Sequence, residues 1–143
     1  SDLLEFHFTA LNDEVAIARR GTEHYGGLNL RFAAVKEQDI RFHTDAPDAK
    51  PRMAWAELSG TFPGGRAPLG VSIFQRQTNP AYPGDWIKYP ELNWLQPTFP
   101  AAGARWVLKP QQPLVLRFRL WLHRGGNASD DLQAAQWRAY NHP

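Results

Sequence analysis

The chain has 143 residues, 43% apolar and 21% charged, which suffices for one packed domain and excludes a disordered chain. It contains no cysteine, which excludes a disulfide scaffold, a thiol nucleophile and a thiolate zinc site. The net charge is only +2 with scattered arginines, and no apolar run approaches the ~20 residues of a membrane span, so we expect neither a nucleic-acid nor a membrane partner.

The first strands are predicted from alternating apolar and polar residues. Residues 4–9 alternate with the two-residue period of a half-buried strand. A short apolar run at 15–18 follows Asn12 and Asp13, which are common in turns, so we predict a hairpin here. Another strand is predicted over 28–32, and further strands over 40–44, 53–58 and 69–75.

Residues 78–100 interrupt this pattern. They contain five prolines among Tyr82, Trp86, Tyr89, Trp94 and Phe99. Because proline removes a hydrogen-bond donor from a strand ladder, we interpret this stretch as a long ordered loop with an aromatic surface.

The last third of the chain predicts two strands and one helix. The strands cover 105–108 and 113–123, and the second has Leu114 to Leu122 on one face and Val115 to His123 on the other. Ser129 can cap a helix over 132–140, with Leu132, Ala135 and Ala139 on one face. Eight or nine strand candidates with one short C-terminal helix predict an all-β fold, an antiparallel β-sandwich forming a single domain over 1–143.

One segment resembles a known family. The run GVSIF at 70–74, followed by Asn79-Pro80, Tyr82-Pro83 and Trp86, resembles the bacterial PmoA-like ("methane oxygenase PmoA") family signature G-[VI]-A-I-F-D-H-P-x-N-P-x-x-P-x-x-W. The runs EHYGGLNLR at 23–31 and WAELSG at 55–60 fit the same family. Gln75 and Arg76 depart from it, standing where members have Asp-His.

The resemblance implies a galactose-mutarotase-like β-sandwich, a fold whose relatives handle carbohydrates. It also implies a secreted or periplasmic bacterial protein. Family members are commonly about twice as long, so the chain is similar to the C-terminal half of one. A missing N-terminal half or a second copy of the chain is then a predicted partner.

The candidate catalytic residues are Glu23, His24 and Glu57. A sugar epimerase needs an acid and a base flanking one carbon, and a glycosidase needs two carboxyl groups about 5 to 10 Å apart. Glu23 and His24 could form such a pair only if a bulge at Gly26-Gly27 turned one of them, because adjacent strand residues face opposite sides. The alternative is a surface ion pair between Glu23 and Arg31.

Candidate ligand-binding residues combine aromatic rings with amides and a guanidinium. Sugars present an apolar C–H face that stacks on aromatic rings, and hydroxyls that need polar partners. The candidates are Arg31, Asn79, Tyr82, Trp86, Asn93 and Trp94. The alternative is that the aromatic residues pack beneath the loop as a small core, and Trp55, Trp106 and Trp137 are assigned to packing.

The sequence offers no motif for a metal or a cofactor. No two of the five histidines lie within four residues of each other, and phosphate-binding and dinucleotide-binding fingerprints are absent. We therefore predict no metal and no cofactor. Three hypotheses are kept: a carbohydrate-binding domain, a sugar-active enzyme (epimerase, lyase or hydrolase), and a structural or homo-oligomerising half-sandwich.

Overall fold

The structure, a computed structural model, describes residues 1–18, 25–43 and 53–142. Within these ranges ten strands precede one helix near the C-terminus, α1 (Asp130–Asn141). The strands are β1 (Asp2–Phe8), β2 (Val15–Ala18), β3 (Leu30–Arg31), β4 (Lys36–His43), β5 (Trp55–Thr61), β6 (Leu69–Gln75), β7 (Asp85–Tyr89), β8 (Trp94–Thr98), β9 (Arg105–Leu108) and β10 (Leu114–Arg124). The all-β prediction is confirmed.

A five-stranded antiparallel sheet forms the larger layer, in the order β1-β10-β6-β5-β4. Its inner face carries the alternating apolar residues of β10 together with buried Leu58 and Ile73. Burying such a side chain stabilises the fold by about 1.5–3 kcal/mol. The predicted bounds of β2, β6 and β9 match the observed ones, while the strand predicted over 40–44 extends one residue beyond the described range.

Two smaller antiparallel sheets, β3-β8-β7 and β2-β9, supply the rest of the core. Leu95 of β8 is fully buried in the same cluster as Leu58 and Ile73, and Leu108 of β9 belongs to it as well. The chain is therefore a sandwich with one principal core.

The predicted long loop over 78–100 is wrong, because the structure places two paired strands there. β7 pairs with β8 through five residues, and a 3-10 turn at Pro90–Leu92 joins them. The carbonyl oxygen of Pro97 in β8 faces Gly27, since a methyl group added to Gly27 would lie 2.5 Å from it. The nitrogen of Pro97 points to that same side, away from β7, so no bond of the β7–β8 ladder is lost.

The predicted hairpin between the first two strands is also wrong. β1 pairs with β10, and β2 pairs with β9 in a different sheet. Ala10 makes an isolated bridge to Pro110 between the two strands, and its side chain is buried in the core. The chain therefore crosses from one layer to the other at this point instead of turning back.

Helix α1 packs on the outer face of the five-stranded sheet. Ser129 caps it as predicted, its hydroxyl accepting a hydrogen bond from the Leu132 amide at 3.3 Å. The face shared by Leu132, Ala135 and Ala139 is exposed, whereas Gln133 and Trp137 are buried, as the assignment of Trp137 to packing predicted. Trp137 stacks on Trp55, with ring centroids 5.6 Å apart, and this pair fixes which side of the helix faces the sheet.

Within the described ranges, no helix has the length and apolar character that crossing a membrane requires.

Candidate functional site

An apolar cavity of about 650 Å³ lies at one end of the sandwich. We call it the end cavity. Most of its lining residues are aliphatic or aromatic, and Asp2 and Arg124 are charged residues in the lining. Its lining residues are Asp2, Phe32, Phe62, Leu69, Gly70, Val71, Leu120, Leu122, His123 and Arg124. A cavity of this size and character fits the usual dimensions of a small-molecule site.

The end cavity follows from a difference in strand length. The pairing of β1 with β10 begins at Asp2 and Leu120, but β10 continues to Arg124 and is paired there only with β6. Leu122 therefore remains 60% exposed although it continues the inner face of β10. Phe32 and Phe62 form an edge-to-face pair, with centroids 6.5 Å apart, that supplies the aromatic part of the wall.

Glu57, one of the predicted catalytic residues, forms a close pair with a histidine. Its Oε1 lies 2.7 Å from His123 Nε2 and accepts a hydrogen bond from the Ala128 amide at 3.0 Å. The contact with His123 lacks the alignment of a hydrogen bond, and Glu57 Oε2 has no partner among the described residues. The pair is thus a carboxylate and an imidazole in direct contact with unused hydrogen-bonding capacity.

This pair is not presented to solvent. The Glu57 side chain is fully buried and that of His123 is 9% exposed. Alternation along β10 puts the imidazole of His123 on the opposite face of the sheet from Leu122. The imidazole lies across Gly70, where a methyl group would come within 2.1 Å of the ring. A substrate in the end cavity would therefore be separated from Glu57 by the sheet itself.

Further buried polar groups surround this pair beneath α1. His43 stacks on Trp55, with 5.5 Å between centroids and nearly parallel planes. Gln133 donates to the Ser72 hydroxyl at 2.8 Å, and Ser72 stands opposite Glu57 in the β5–β6 register. Burial lowers the pKa of His43, and the charges of Asp130 and Glu57 only partly oppose this. We call this group of residues the covered polar layer.

Three of the predicted ligand-binding residues lie together. Arg31 and Trp94 are register partners of β3 and β8, and the guanidinium lies 4.9 Å from the Trp94 ring centroid. Tyr25 stacks on the same indole at 5.1 Å, which leaves Trp94 nearly buried. Asn93 adjoins them, and its Oδ1 accepts hydrogen bonds from Val35 N and Gln38 Nε2.

The other three predicted ligand-binding residues lie elsewhere. Trp86 packs against the core and donates its Nε1 hydrogen to the Met53 carbonyl at 2.8 Å. Asn79 binds both backbone groups of Arg117, donating to its oxygen at 2.7 Å and accepting from its nitrogen at 2.8 Å. Tyr82 packs with the cluster that contains Trp55 and Trp137. The structure therefore does not bring the six residues into one site.

Glu23 and His24 lie outside the described residues. In the ranges that the structure does describe, no group of three or more His, Cys, Asp or Glu side chains has the arrangement of a metal site.

The end cavity was missed by reasoning from sequence. Its aromatic wall comes from Phe32 and Phe62, which are distant in sequence from Leu122 and Arg124. The available signal was the length of the apolar alternation over 113–123, which exceeds that over 4–9. A strand longer than its neighbour leaves an uncovered inner-face residue, and Leu122 is that residue.

Comparisons with known proteins place the chain by family alone. No curated protein matches it, and no solved structure does. The PmoA-like name and carbohydrate binding gain no support from these comparisons and stay predictions. The model described as "Family of unknown function (DUF6807)" matches residues 3–138, nearly the whole sequence, and the chain belongs to that family.

Proposed function

We propose that this chain is a binding domain for a small amphipathic molecule, held in the end cavity. The observation that carries the proposal is the cavity itself, about 650 Å³ with mostly apolar walls and with Asp2 and Arg124 in its lining. Apolar walls with a few polar groups are the usual design of a small-molecule site. The ligand's apolar body would cover Leu122 and the two phenylalanine rings, with its polar end near Arg124.

Binding fits this geometry better than catalysis does. His123 belongs to the cavity lining, but its imidazole and the buried Glu57 carboxylate lie on the opposite face of the sheet from the cavity's apolar wall. A general acid or base must come within hydrogen-bond reach of its substrate. The pair instead fits a structural role, anchoring the segment that leads into α1 through the Ala128 amide.

The proposal is tested with 1-anilinonaphthalene-8-sulfonate, which has an apolar body and one acidic group. We expect its fluorescence to rise on titration with the protein, and the rise to be lost in Leu122→Glu, which puts a charge in the cavity wall. Leu122 is 60% exposed, so this substitution should leave the fold intact.

The matched control is Leu11→Glu, because Leu11 is 90% exposed and does not line the end cavity. This variant should bind the dye as the wild type does. Equal binding by Leu122→Glu and the wild type would contradict the proposal. Near-ultraviolet circular dichroism of each variant checks that dye binding does not come from partial unfolding.

Carbohydrate binding is a second candidate, favoured by one cluster. Tyr25, Tyr89, Trp94 and Arg31 meet at one end of the β3-β8-β7 sheet, with Tyr89 and Trp94 centroids 5.1 Å apart. Trp94 is covered, but the partly exposed rings of Tyr25 and Tyr89 beside the Arg31 guanidinium offer the stacking surface and the polar contacts that a sugar needs. A glycan screen of the wild type, Arg31→Ala and the control Arg105→Ala tests it, with loss of binding expected in Arg31→Ala only. The predicted secreted or periplasmic location belongs with this candidate.

The structural alternative makes a different prediction. If the exposed Leu69 and Leu122 were covered by a second copy of the chain, the cavity would close on association. Sedimentation would then show a dimer, and Leu122→Glu would make it a monomer.

A further inference from the structure

A second, smaller pocket lies beside the middle of the β1–β10 pairing, where Glu5 is the register partner of Arg117. It encloses about 300 Å³ and is lined by Leu3, Leu4, Glu5, Arg76, Thr78, Arg117 and Tyr140. We call it the arginine pocket. None of its residues lines the end cavity, so a ligand bound here is independent of the proposed function.

Arg76 is a guanidinium without a carboxylate partner in the described part of the chain. It directly follows β6 and donates from one terminal nitrogen to the backbone oxygen of Tyr140. Its guanidinium carbon lies 5.1 Å from the centre of the Tyr140 ring. A guanidinium has five N–H donors, so this arrangement leaves most of them unused.

Arg117 and Arg119 add to the positive charge. Arg117 donates from Nε to Glu5 at 2.5 Å, and this hydrogen bond, with a second from His7, holds the pKa of Glu5 below its usual range. Arg119 binds the Gln136 side chain at 2.7 Å, so it has a neutral partner there. Three cationic groups and one carboxylate therefore act on Tyr140, with an excess of positive charge.

The Tyr140 hydroxyl is a donor available at neutral pH. Burial raises its pKa, and the three nearby arginines only partly oppose this. The phenol therefore stays protonated and can donate a hydrogen bond to an anionic oxygen. The Thr78 hydroxyl is a further polar group in the lining.

We propose that the arginine pocket binds a small hydroxylated molecule through an oxyanion group, a carboxylate or phosphate, held by Arg76, Arg117 and Tyr140. Planar guanidinium groups match the geometry of these anions, and such charge-assisted hydrogen bonds are about twice as strong as neutral ones. The volume equals roughly ten water molecules at ~30 Å³ each, more than a lone anion fills. The remaining space suits a body of monosaccharide size.

Calorimetric titration of the whole chain tests this with three probes: D-glucuronate, D-glucose and inorganic phosphate. We expect glucuronate to bind at least ~10-fold more tightly than glucose, since glucose lacks the charged group. Inorganic phosphate should bind more weakly than glucuronate but measurably. If phosphate binds as tightly as glucuronate, the hydroxylated body is not recognised and that part of the proposal fails.

Two variants separate binding from folding. Arg76→Gln should weaken glucuronate binding at least ~10-fold, but it also removes a contact to α1. Tyr140→Phe keeps the ring beneath Arg76 and the backbone oxygen that Arg76 binds, so it should weaken glucuronate binding without lowering the melting temperature.

The matched control is Arg105→Gln, which removes an exposed arginine that lines neither the arginine pocket nor the end cavity and should leave glucuronate binding unchanged. The proposal is overturned if the wild type binds neither glucuronate nor phosphate. It is equally overturned if Arg76→Gln and Tyr140→Phe bind glucuronate as the wild type does. The role of Arg76 would then be the structural one of its hydrogen bond to α1.

Discussion

At the residue scale, the side chain of Asn79 joins the segment after β6 to β10 by hydrogen bonds. Its side-chain amide donates a hydrogen bond to the Arg117 carbonyl oxygen and accepts one from the Arg117 N–H, and Asn79 is nearly buried. The Arg117 oxygen also accepts a hydrogen bond from the Arg76 amide at 3.1 Å, whereas the Arg117 N–H has Asn79 as its partner among the described residues. The stability of this junction therefore depends on the amide group of Asn79.

We expect Asn79→Ala to lower the free energy of unfolding by about 1–3 kcal/mol, because it leaves the partly buried Arg117 N–H without its acceptor. Denaturant unfolding measures this directly. Asn29→Ala is the control, since Asn29 is exposed and bonds only locally to the Gly27 carbonyl; its effect should stay within about 0.5 kcal/mol. Equal effects of the two substitutions would contradict the role given to Asn79.

His43 makes stability depend on pH. Burial lowers its pKa from the ordinary value of 6.5, so the unfolded chain binds this proton more readily than the folded one. The contribution of the neutral His43 imidazole to the free energy of unfolding is complete above pH 6.5. It is lost as the pH falls from that value toward the lower pKa of the folded chain. Asp130, Glu57 and Arg41 are the charged groups that act on the imidazole.

We therefore expect the melting temperature of the wild type to fall between pH 7.5 and 5, and to fall less in His43→Gln. His7→Gln is the control, because His7 is exposed and pairs with Glu5 at the surface. A pH profile of His43→Gln that parallels the wild type would show that His43 does not contribute.

At the element scale, α1 docks on the sheet through two buried side chains, Gln133 and Trp137. Trp137 packs between the helix and the sheet against Trp55, and Gln133 reaches Ser72 one turn earlier. The helix begins where Ser129 accepts the Leu132 amide and places Asp130 and Asp131 in the first turn, near the positive end of its dipole. The cap fixes where the helix starts, and Trp137 fixes how it packs.

We expect Trp137→Ala to destabilise the fold by about 3–5 kcal/mol through loss of packing at a site that cannot collapse. Hydrogen exchange should show α1 amides losing protection before those of β5 and β6. Leu132→Ala, on an exposed side of the same helix, should cost less than about 1 kcal/mol. If the two substitutions cost the same, the packing face of α1 is not the one described.

Sequence patterns correctly predicted those elements that are determined by residues close together in the chain. The alternation of Leu116 and Phe118 with charged neighbours identified β10, and Ser129 identified the helix start. The β7–β8 hairpin was missed because Pro97 is tolerated by the direction of its nitrogen, which points away from β7, and no local pattern contains that direction. Pairing partners, such as β10 for β1, depend on tertiary contacts that no local period contains.

The candidate sites show the same limit. Glu57 was singled out from its place in the sequence, but its partner His123 and the helix that covers it come from the other end of the chain. The end cavity and the arginine pocket are each lined by residues from several elements. These residues are close in space but distant in sequence, so no local pattern groups them. Residue type alone indicated aromatic rings as the binding surface, and several of them are used in packing instead.

At the scale of the whole molecule, the sheets pack against each other over the core but leave apolar residues uncovered at one end of the sandwich. The inner faces of β6 and β10 continue past the end of β1, leaving apolar side chains around a cavity with charged groups at its edge. The covered polar layer lies on the opposite side of the same sheet, beneath α1. The five-stranded sheet therefore separates the proposed binding surface from the buried carboxylate–imidazole pair.

The central claim is that the end cavity binds an amphipathic molecule, and methyl NMR tests it most directly. Octyl glucoside is added to protein labelled at leucine and valine methyl groups, with glucose as the matched probe that lacks the alkyl chain. With octyl glucoside we predict shifts at Val71, Leu120 and Leu122 and none at Leu11, and with glucose we predict no shifts at those three residues. Equal shifts at the three residues with glucose, or the absence of shifts there with octyl glucoside, would contradict the claim.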